Sequence, residues 1–245
     1  MTENIEKKQV KILNLYYDLM NLYGDWANAA VLERELTCRG CDVVLDKKST
    51  GDDVDLDIYD FIYIGSGTER SQIACINDLV LLKEKLFERI EAGVPVLAIG
   101  NSHEIFGKSV TGCDGSNRQT LGLLDFETVQ LSTRVTGDCV FESKLPLCSE
   151  KLVGFINRAG GSQSGDIERP FSIRPGEGAG FSAGDEGIIY KNLLGTYMTG
   201  PILVRNPPML KYFADLIFKH EKENSDVFFS FQEKAYINAL SGLQS

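Results

Sequence analysis

Dense apolar runs alternate, through the first half of the chain, with stretches whose apolar positions recur at helical spacing. Residues 10–15 are apolar-rich and predict a strand, followed by a turn-rich loop over 16–25. From about 28 to 38, Ala29, Leu32 and Leu36 fall on one face, as in a helix with one buried side. Gly40 ends it, and residues 42–45 predict a second short strand. Residues 61–64 predict a third, running straight into Gly65, Ser66 and Gly67. Over 73–92 the spacing of Leu79, Leu82, Leu86 and Ile90 predicts one helix, capped by Gly93. Residues 94–99 are nearly all apolar, as a strand buried on both faces should be. Strands and helices in this order predict a parallel sheet covered by helices.

The pattern then changes. Residues 125–195 show Thr/Val alternation and many glycines, which predicts antiparallel strands and ordered loops. Helical spacing returns from Leu210 to about Glu223, and a Ser225/Asp226 break precedes a last helix over about 228–243. The expected class is α/β, a three-layer sandwich with a mostly parallel central sheet. It would occupy residues 1–222 as one domain, with a helical extension over 223–245.

Composition narrows the function classes. The 245 residues carry 25 Lys+Arg against 35 Asp+Glu, a formal charge of −10, with no basic stripe. A nucleic-acid or anionic-membrane surface is not expected. The N-terminus is charged rather than apolar, and no run approaches the roughly 18 apolar residues of a membrane helix, so no membrane insertion is expected. Two histidines, His103 and His220, are too few for a multi-histidine metal centre, and no metal or cofactor is implied. Six scattered cysteines fit thiols in a reducing cytoplasm. Cys38 and Cys41 form a CxxC without a second pair, which reads as two incidental thiols at a helix end.

Two turns follow predicted parallel strands, where open α/β sheets bind ligands. One is Gly65–Ser66–Gly67; the other is Gly100–Asn101–Ser102, leading into a short helix that Gly107 ends. A strand, sharp turn and helix of this kind suit a nucleophile, because helix N–H groups favour developing anions. Here the turn residue is Gly100, which has no nucleophile to offer.

Five segments carry a resemblance: residues 15–25, residues 64–67, residues 95–107, residues 122–125 and residues 190–201. In order along the chain, from about Lys11 to about Ile217, they resemble class I glutamine amidotransferases of the cobyric-acid-synthase branch. Within that branch they are most like the glutaminase subunits of lipid II isoglutaminyl synthases, which partner a Mur-ligase-like subunit in Gram-positive cell-wall synthesis. The resemblance implies a class I amidotransferase-like, flavodoxin-like fold. It also implies a Cys–His pair: a cysteine in A-I-C-G-G and a histidine in G-T-Y-L-H-G-P. Here those stretches read Ala98-Ile99-Gly100-Asn101-Ser102 and Gly195-Thr196-Tyr197-Met198-Thr199-Gly200-Pro201. Gly100 stands at the nucleophile position and Thr199 at the base position, and neither can form or activate a thioester. Gly65, Ser66 and Gly67 match the oxyanion turn, with Ser66 replacing a glycine. Arg134, in Thr133–Gly137, resembles the arginine that contacts glutamine. The family's later Asn-His pair appears as Asn157-Arg158.

The function expected from this resemblance is a non-catalytic binding or regulatory subunit, a pseudoenzyme partnering a Mur-ligase-like synthetase. Alternatives are an active glutaminase subunit supplying ammonia to lipid II isoglutaminyl synthase or a cobyric-acid-synthase-like amidation, or an unrelated hydrolase using the same cleft. Arg134, Asn101 and Ser102 are the candidates for contact with glutamine or another small carboxylate, Arg134 reading otherwise as a surface ion pair. His103 reads as a solvated or capping histidine beside Ser102 and Glu104, and His220 as solvated. Cys75 and Cys113 read as buried small hydrophobes. Gly176–Gly180 lacks a P-loop lysine and a following helix, and reads as a flexible loop. Phe228, Phe229 and Phe231 cluster where the last helix packs on its own domain or meets a partner.

Overall fold

In the computed structural model, which describes residues 7–175, 184–219 and 227–244, the apolar runs of the first half assemble into one sheet. The chain runs through β1 (Gln9–Leu15), α1 (Trp26–Cys38), β2 (Asp42–Lys48) and β3 (Phe61–Ile64). It continues through α2 (Glu69–Leu79), α3 (Lys83–Glu91), β4 (Val96–Ile99) and a 3-10 helix from Gly100 to Phe106. Helices join β1 to β2 and β3 to β4, and a loop with one 3-10 turn at Leu56–Ile58 joins β2 to β3, so β2, β1, β3 and β4 lie parallel and adjacent in that order. β2 runs past Leu45 to Lys48 because it is the sheet's edge, where Asp46, Lys47 and Lys48 remain accessible to solvent.

The helix predicted over 73–92 is broken. α2 begins earlier, with Thr68 accepting the Ser71 N–H as N-cap, and a 3-10 turn at Val80–Leu82 separates it from α3. The turn leaves Val80 and Leu81 exposed, yet Leu79 before it and Leu86 and Ile90 after it sink into the same apolar cluster.

The antiparallel strands expected in the middle form a second sheet. It contains β5 (Ser109–Thr111), β6 (Asn117–Gln119), β7 (Glu127–Ser143), β8 (Lys151–Ser164), β9 (Phe171–Pro175) and β10 (Gly184–Glu186). The chain then returns to the first sheet with β11 (Ile188–Tyr190) and β12 (Leu193–Thr196), β12 parallel to β4 and β11 antiparallel to β12. β13 (Met198–Thr199) crosses back and pairs with β8. α4 (Ile202–Arg205), α5 (Pro207–Ile217) and α6 (Val227–Gln244) complete the chain. α5 starts and ends earlier than its spacing predicts, with Pro207 at its first position, which suits a residue lacking an N–H. His220, the Ser225/Asp226 break and the Gly176–Gly180 stretch lie outside the described residues.

Side chains alternate across the first sheet between two cores. Val10, Ile12, Phe61, Tyr63, Leu97 and Ile99 face α1, α5 and the inner side of the second sheet. Leu13, Leu15, Ile62, Ile64, Val96 and Ala98 face α2 and α3. The result is the expected mixed α/β arrangement with helices on both faces of a mostly parallel sheet, plus a second sheet that shares the first core. α6 docks on this body: Phe229 is buried, and the Gln232 side-chain amide donates to the Leu203 and Val204 carbonyls at 2.8 Å each. Phe231 of the same helix is 64% exposed.

Two readings of single residues are corrected. His103 is fully buried rather than solvated, its ring against Tyr197 with centroids 4.3 Å apart. The sequence put it one residue from the end of a sharp turn, but the 3-10 helix there is folded inward over β12 rather than lying on the surface. Cys113 is exposed, because it sits in the short connection between β5 and β6, while Cys75 is buried as expected.

Candidate ligand-binding cleft

The carboxyl ends of neighbouring parallel strands β3 and β4 bring the two turns together, Ile64 pairing with Ala98. The loop after β1 passes directly behind the first turn. A Cβ at residue 65 would lie 2.2 Å from the Met20 carbonyl oxygen, so only glycine allows that approach. Asp25, at the end of the same loop, accepts both the Ser66 N–H at 2.7 Å and the Ser66 hydroxyl at 2.5 Å through Oδ2. Asp25 is completely buried, and burial raises its pKa to about 6 against the opposing hydrogen bonds from Ser66.

Gly100 has φ +62°, a left-handed turn after a strand that glycine adopts without strain, and a Cβ there would lie 2.6 Å from the Ser66 Cβ. The Ser66 side chain therefore fills the space into which any side chain at residue 100 would project. Asn101 turns its Oδ1 onto the Gly67 N–H at 3.0 Å. Its own carbonyl accepts from Gln72 Nε2, which also reaches Glu104 Oε2 at 2.8 Å, while the Tyr197 hydroxyl donates to Glu104 Oε1 at 2.6 Å. Burial holds the Glu104 carboxyl above the usual carboxylate range, opposed by those two donors. Burial also lowers His103 to about 3, so its imidazole is neutral at physiological pH.

The opposite wall comes from the second sheet. The β7–β8 register slips between Gln130 and Val135, so that Arg134 lies in a bulged segment. A bulge re-aims side chains, and here it turns Arg134 into the cleft. Arg134 Nε donates to Asn157 Oδ1 at 2.8 Å, Nη1 pairs with Glu69 Oε1 at 3.0 Å, and Nη2 reaches the Asn157 carbonyl at 3.3 Å. Thr199, at the end of β13, also faces the cleft, its hydroxyl donating to the Phe155 carbonyl at 2.8 Å.

Of the residues picked out from sequence, Ser66, Gly67, Asn101, Glu104, Arg134, Asn157 and Thr199 line one cleft between the two sheets. Gly65 and Gly100 shape its wall from behind. Ser102 stands apart: it is buried, and its hydroxyl is shared between the Ile64 and Ile99 carbonyls at 3.1 and 2.8 Å. Arg134 is both an ion pair and a cleft residue, which the sequence had set as alternatives. Sequence reasoning passed over Asp25, Glu69 and Gln72. Glu69 carried a faint signal, three residues past Ser66 in the first turn of a helix; Asp25 and Gln72 act through contacts no local pattern displays. Among the described lining residues there is neither cysteine nor histidine. Cys75, with its thiol pushed up to about 12 by burial and then by Asp78 and Asp18, is no alternative nucleophile. No described helix is long and apolar enough to cross a membrane.

The chain is similar to known proteins over most of its length. Residues 11–207 match the family described as the CobB/CobQ-like glutamine amidotransferase domain. The chain is 34% identical over 207 residues to the GatD subunit of lipid II isoglutaminyl synthase (glutamine-hydrolyzing) from Staphylococcus aureus, covering 84% of each chain. It is 32% identical over 235 residues to the subunit of the same name from Streptococcus pneumoniae, covering 95% of this chain and 88% of that one. Among solved structures, a glutamine amidotransferase from Thermotoga maritima superposes with a TM-score of 0.54 at 13% identity, over 96% of this chain and 94% of that one.

Proposed function

The chain belongs to the CobB/CobQ-like glutamine amidotransferase domain family, and on that premise we propose that it is a non-catalytic member, a binding or regulatory subunit of an amidation system built around a Mur-ligase-like synthetase. The observation that carries this reading is the elbow after β4. Its residue is Gly100, and Ser66 fills the space a nucleophile would need. Thr199 stands where the resemblance puts the base, with its hydroxyl committed to Phe155. Glutaminase chemistry of this family needs a thiolate to take the acyl group and an imidazole to move the proton, and the described lining of the cleft offers neither. The scaffold around the missing pair remains: the Gly65–Gly67 turn, Arg134 and the paired strand ends.

The partner assignment draws on the relatives, both named as subunits of lipid II isoglutaminyl synthase. A cytoplasmic setting accords with six cysteines, none of them in a disulfide. We read residues 1–222 as the amidotransferase-like domain and 223–245 as an extension, since the family match ends at residue 207 and α6 follows it.

The test is ammonia release from L-glutamine by the purified chain, alone and with its synthetase. Release no greater than a no-enzyme control is expected. Release that persists in Cys75→Ser and Cys113→Ser variants would establish another nucleophile and an active glutaminase.

A further inference from the structure

The cleft is already occupied by the chain's own polar groups. The Gly67 N–H, which the first turn offers to the cleft, is taken by the carboxamide oxygen of Asn101. The Arg134 guanidinium is engaged at all three nitrogens, with the Glu69 carboxylate on Nη1 and Asn157 on Nε and Nη2. A carboxamide and a carboxylate are the two polar ends of glutamine. Here one comes from the wall after β4 and the other from the first turn of α2.

We infer that Asn101 and Glu69 act together as a built-in occupant of this cleft, excluding free glutamine, and that these two side chains set what the cleft will admit. The inference rests on the reading that the cleft corresponds to the glutamine site of the amidotransferase family. A tethered group competes at an effective concentration of about millimolar or more. A free ligand must displace it and lose its own translational freedom besides, so glutamine of ordinary millimolar affinity does not compete. The two plugs differ in strength. Glu69 and Arg134 are each half exposed, so this ion pair opens with a side-chain rotation. Asn101 is held more firmly, with its backbone carbonyl fixed by Gln72. Ser66 closes the deep end.

Calorimetry with L-glutamine and L-glutamate tests this on the full chain. The wild type is expected to give no binding heat at millimolar ligand. The Asn101→Ala/Glu69→Gln double variant is expected to bind L-glutamine at least tenfold more tightly, and adding Arg134→Ala is expected to abolish the gain. Glu69→Gln alone, a change at a half-exposed side chain, is expected to gain binding of L-glutamate. Wild-type binding as tight as the double variant's, without ammonia release, overturns the built-in occupant alone. Binding accompanied by ammonia release overturns the non-catalytic reading as well. Absence of binding by both variants, when their melting curves match the wild type, also overturns the inference.

Discussion

A side chain at residue 100 and the side chain of Ser66 cannot both be accommodated as the backbone stands, since their Cβ atoms would be 2.6 Å apart. Gly100→Cys alone should therefore combine overpacking with a left-handed backbone, a cost of roughly 2–4 kcal/mol. Ser66→Gly in the same chain should recover the overpacking part, leaving the backbone strain and the loss of the Ser66 hydroxyl's bond to Asp25, a loss that cancels in the cycle. A double-mutant cycle by urea denaturation should show a favourable coupling of about 1–2 kcal/mol. Strictly additive costs would mean that Ser66 is not the obstruction. The same pair shows what was legible residue by residue. Gly100 and Thr199 stood out because short motifs surround them. That Ser66 fills the vacated space was invisible, because the contact joins the ends of two strands separated by two helices. Arg134 was named from a motif, but the bulge that aims it depends on how β7 and β8 slip past one another.

The helix α6 is held by a small number of polar contacts among many apolar ones. Gln232 is 6% exposed and its amide satisfies two carbonyls at the end of α4. Gln232→Ala should strand those carbonyls and cost about 1–3 kcal/mol. Phe231→Ser, on the exposed side of the same helix, should change stability by less than about 0.5 kcal/mol. Equal effects at the two positions, read from denaturation midpoints, would show that α6 contributes no specific docking. At this scale the strands β1, β3 and β4 were readable, because strands buried on both faces are written as unbroken apolar runs. The break between α2 and α3 was not. Leu79, Leu82, Leu86 and Ile90 keep helical spacing straight through it, and only the packing of both halves on one sheet face reveals the turn. The edge strand β2 was cut short for a related reason, since charged residues at a solvent-facing edge resemble a loop.

For the molecule as a whole, two buried groups titrate in opposite senses. Asp25 has its pKa raised by burial from 3.8 to about 6, so between those values the folded state holds a proton the unfolded chain has released. Acidification through that window is stabilising, by about 3 kcal/mol at most. His103 is lowered by burial to about 3, so below its ordinary value of 6.5 the unfolded chain takes up a proton that the fold refuses. That contribution is lost on acidification, and the two partly cancel between about pH 4 and 6. Asp25→Asn keeps the acceptor for Ser66 and removes the titration, and the buried NH2 it places where Oδ1 has no partner adds a cost that does not vary with pH. Its stability should fall more steeply than the wild type's as pH drops from 6 to 4, measured by urea melts at each pH. Parallel curves would mean that Asp25 is ionised throughout that range. The expected three-layer α/β fold was legible in the alternation of strands and helices. The second sheet was visible only as a change of texture: β5–β6 and β7–β8 pair locally, but β9 joins β7 and β13 joins β8 across long separations in sequence. That second sheet shares a core with the first: Phe141, Leu152 and Ile156 pack in the same cluster as Phe61 and Leu97. The cleft's two walls are consequently the faces of one solid body rather than a pair of jaws. Such a site has no hinge about which to close on a guest. Whatever enters must fit a slot of fixed width, and the moving parts are single side chains swinging at its mouth.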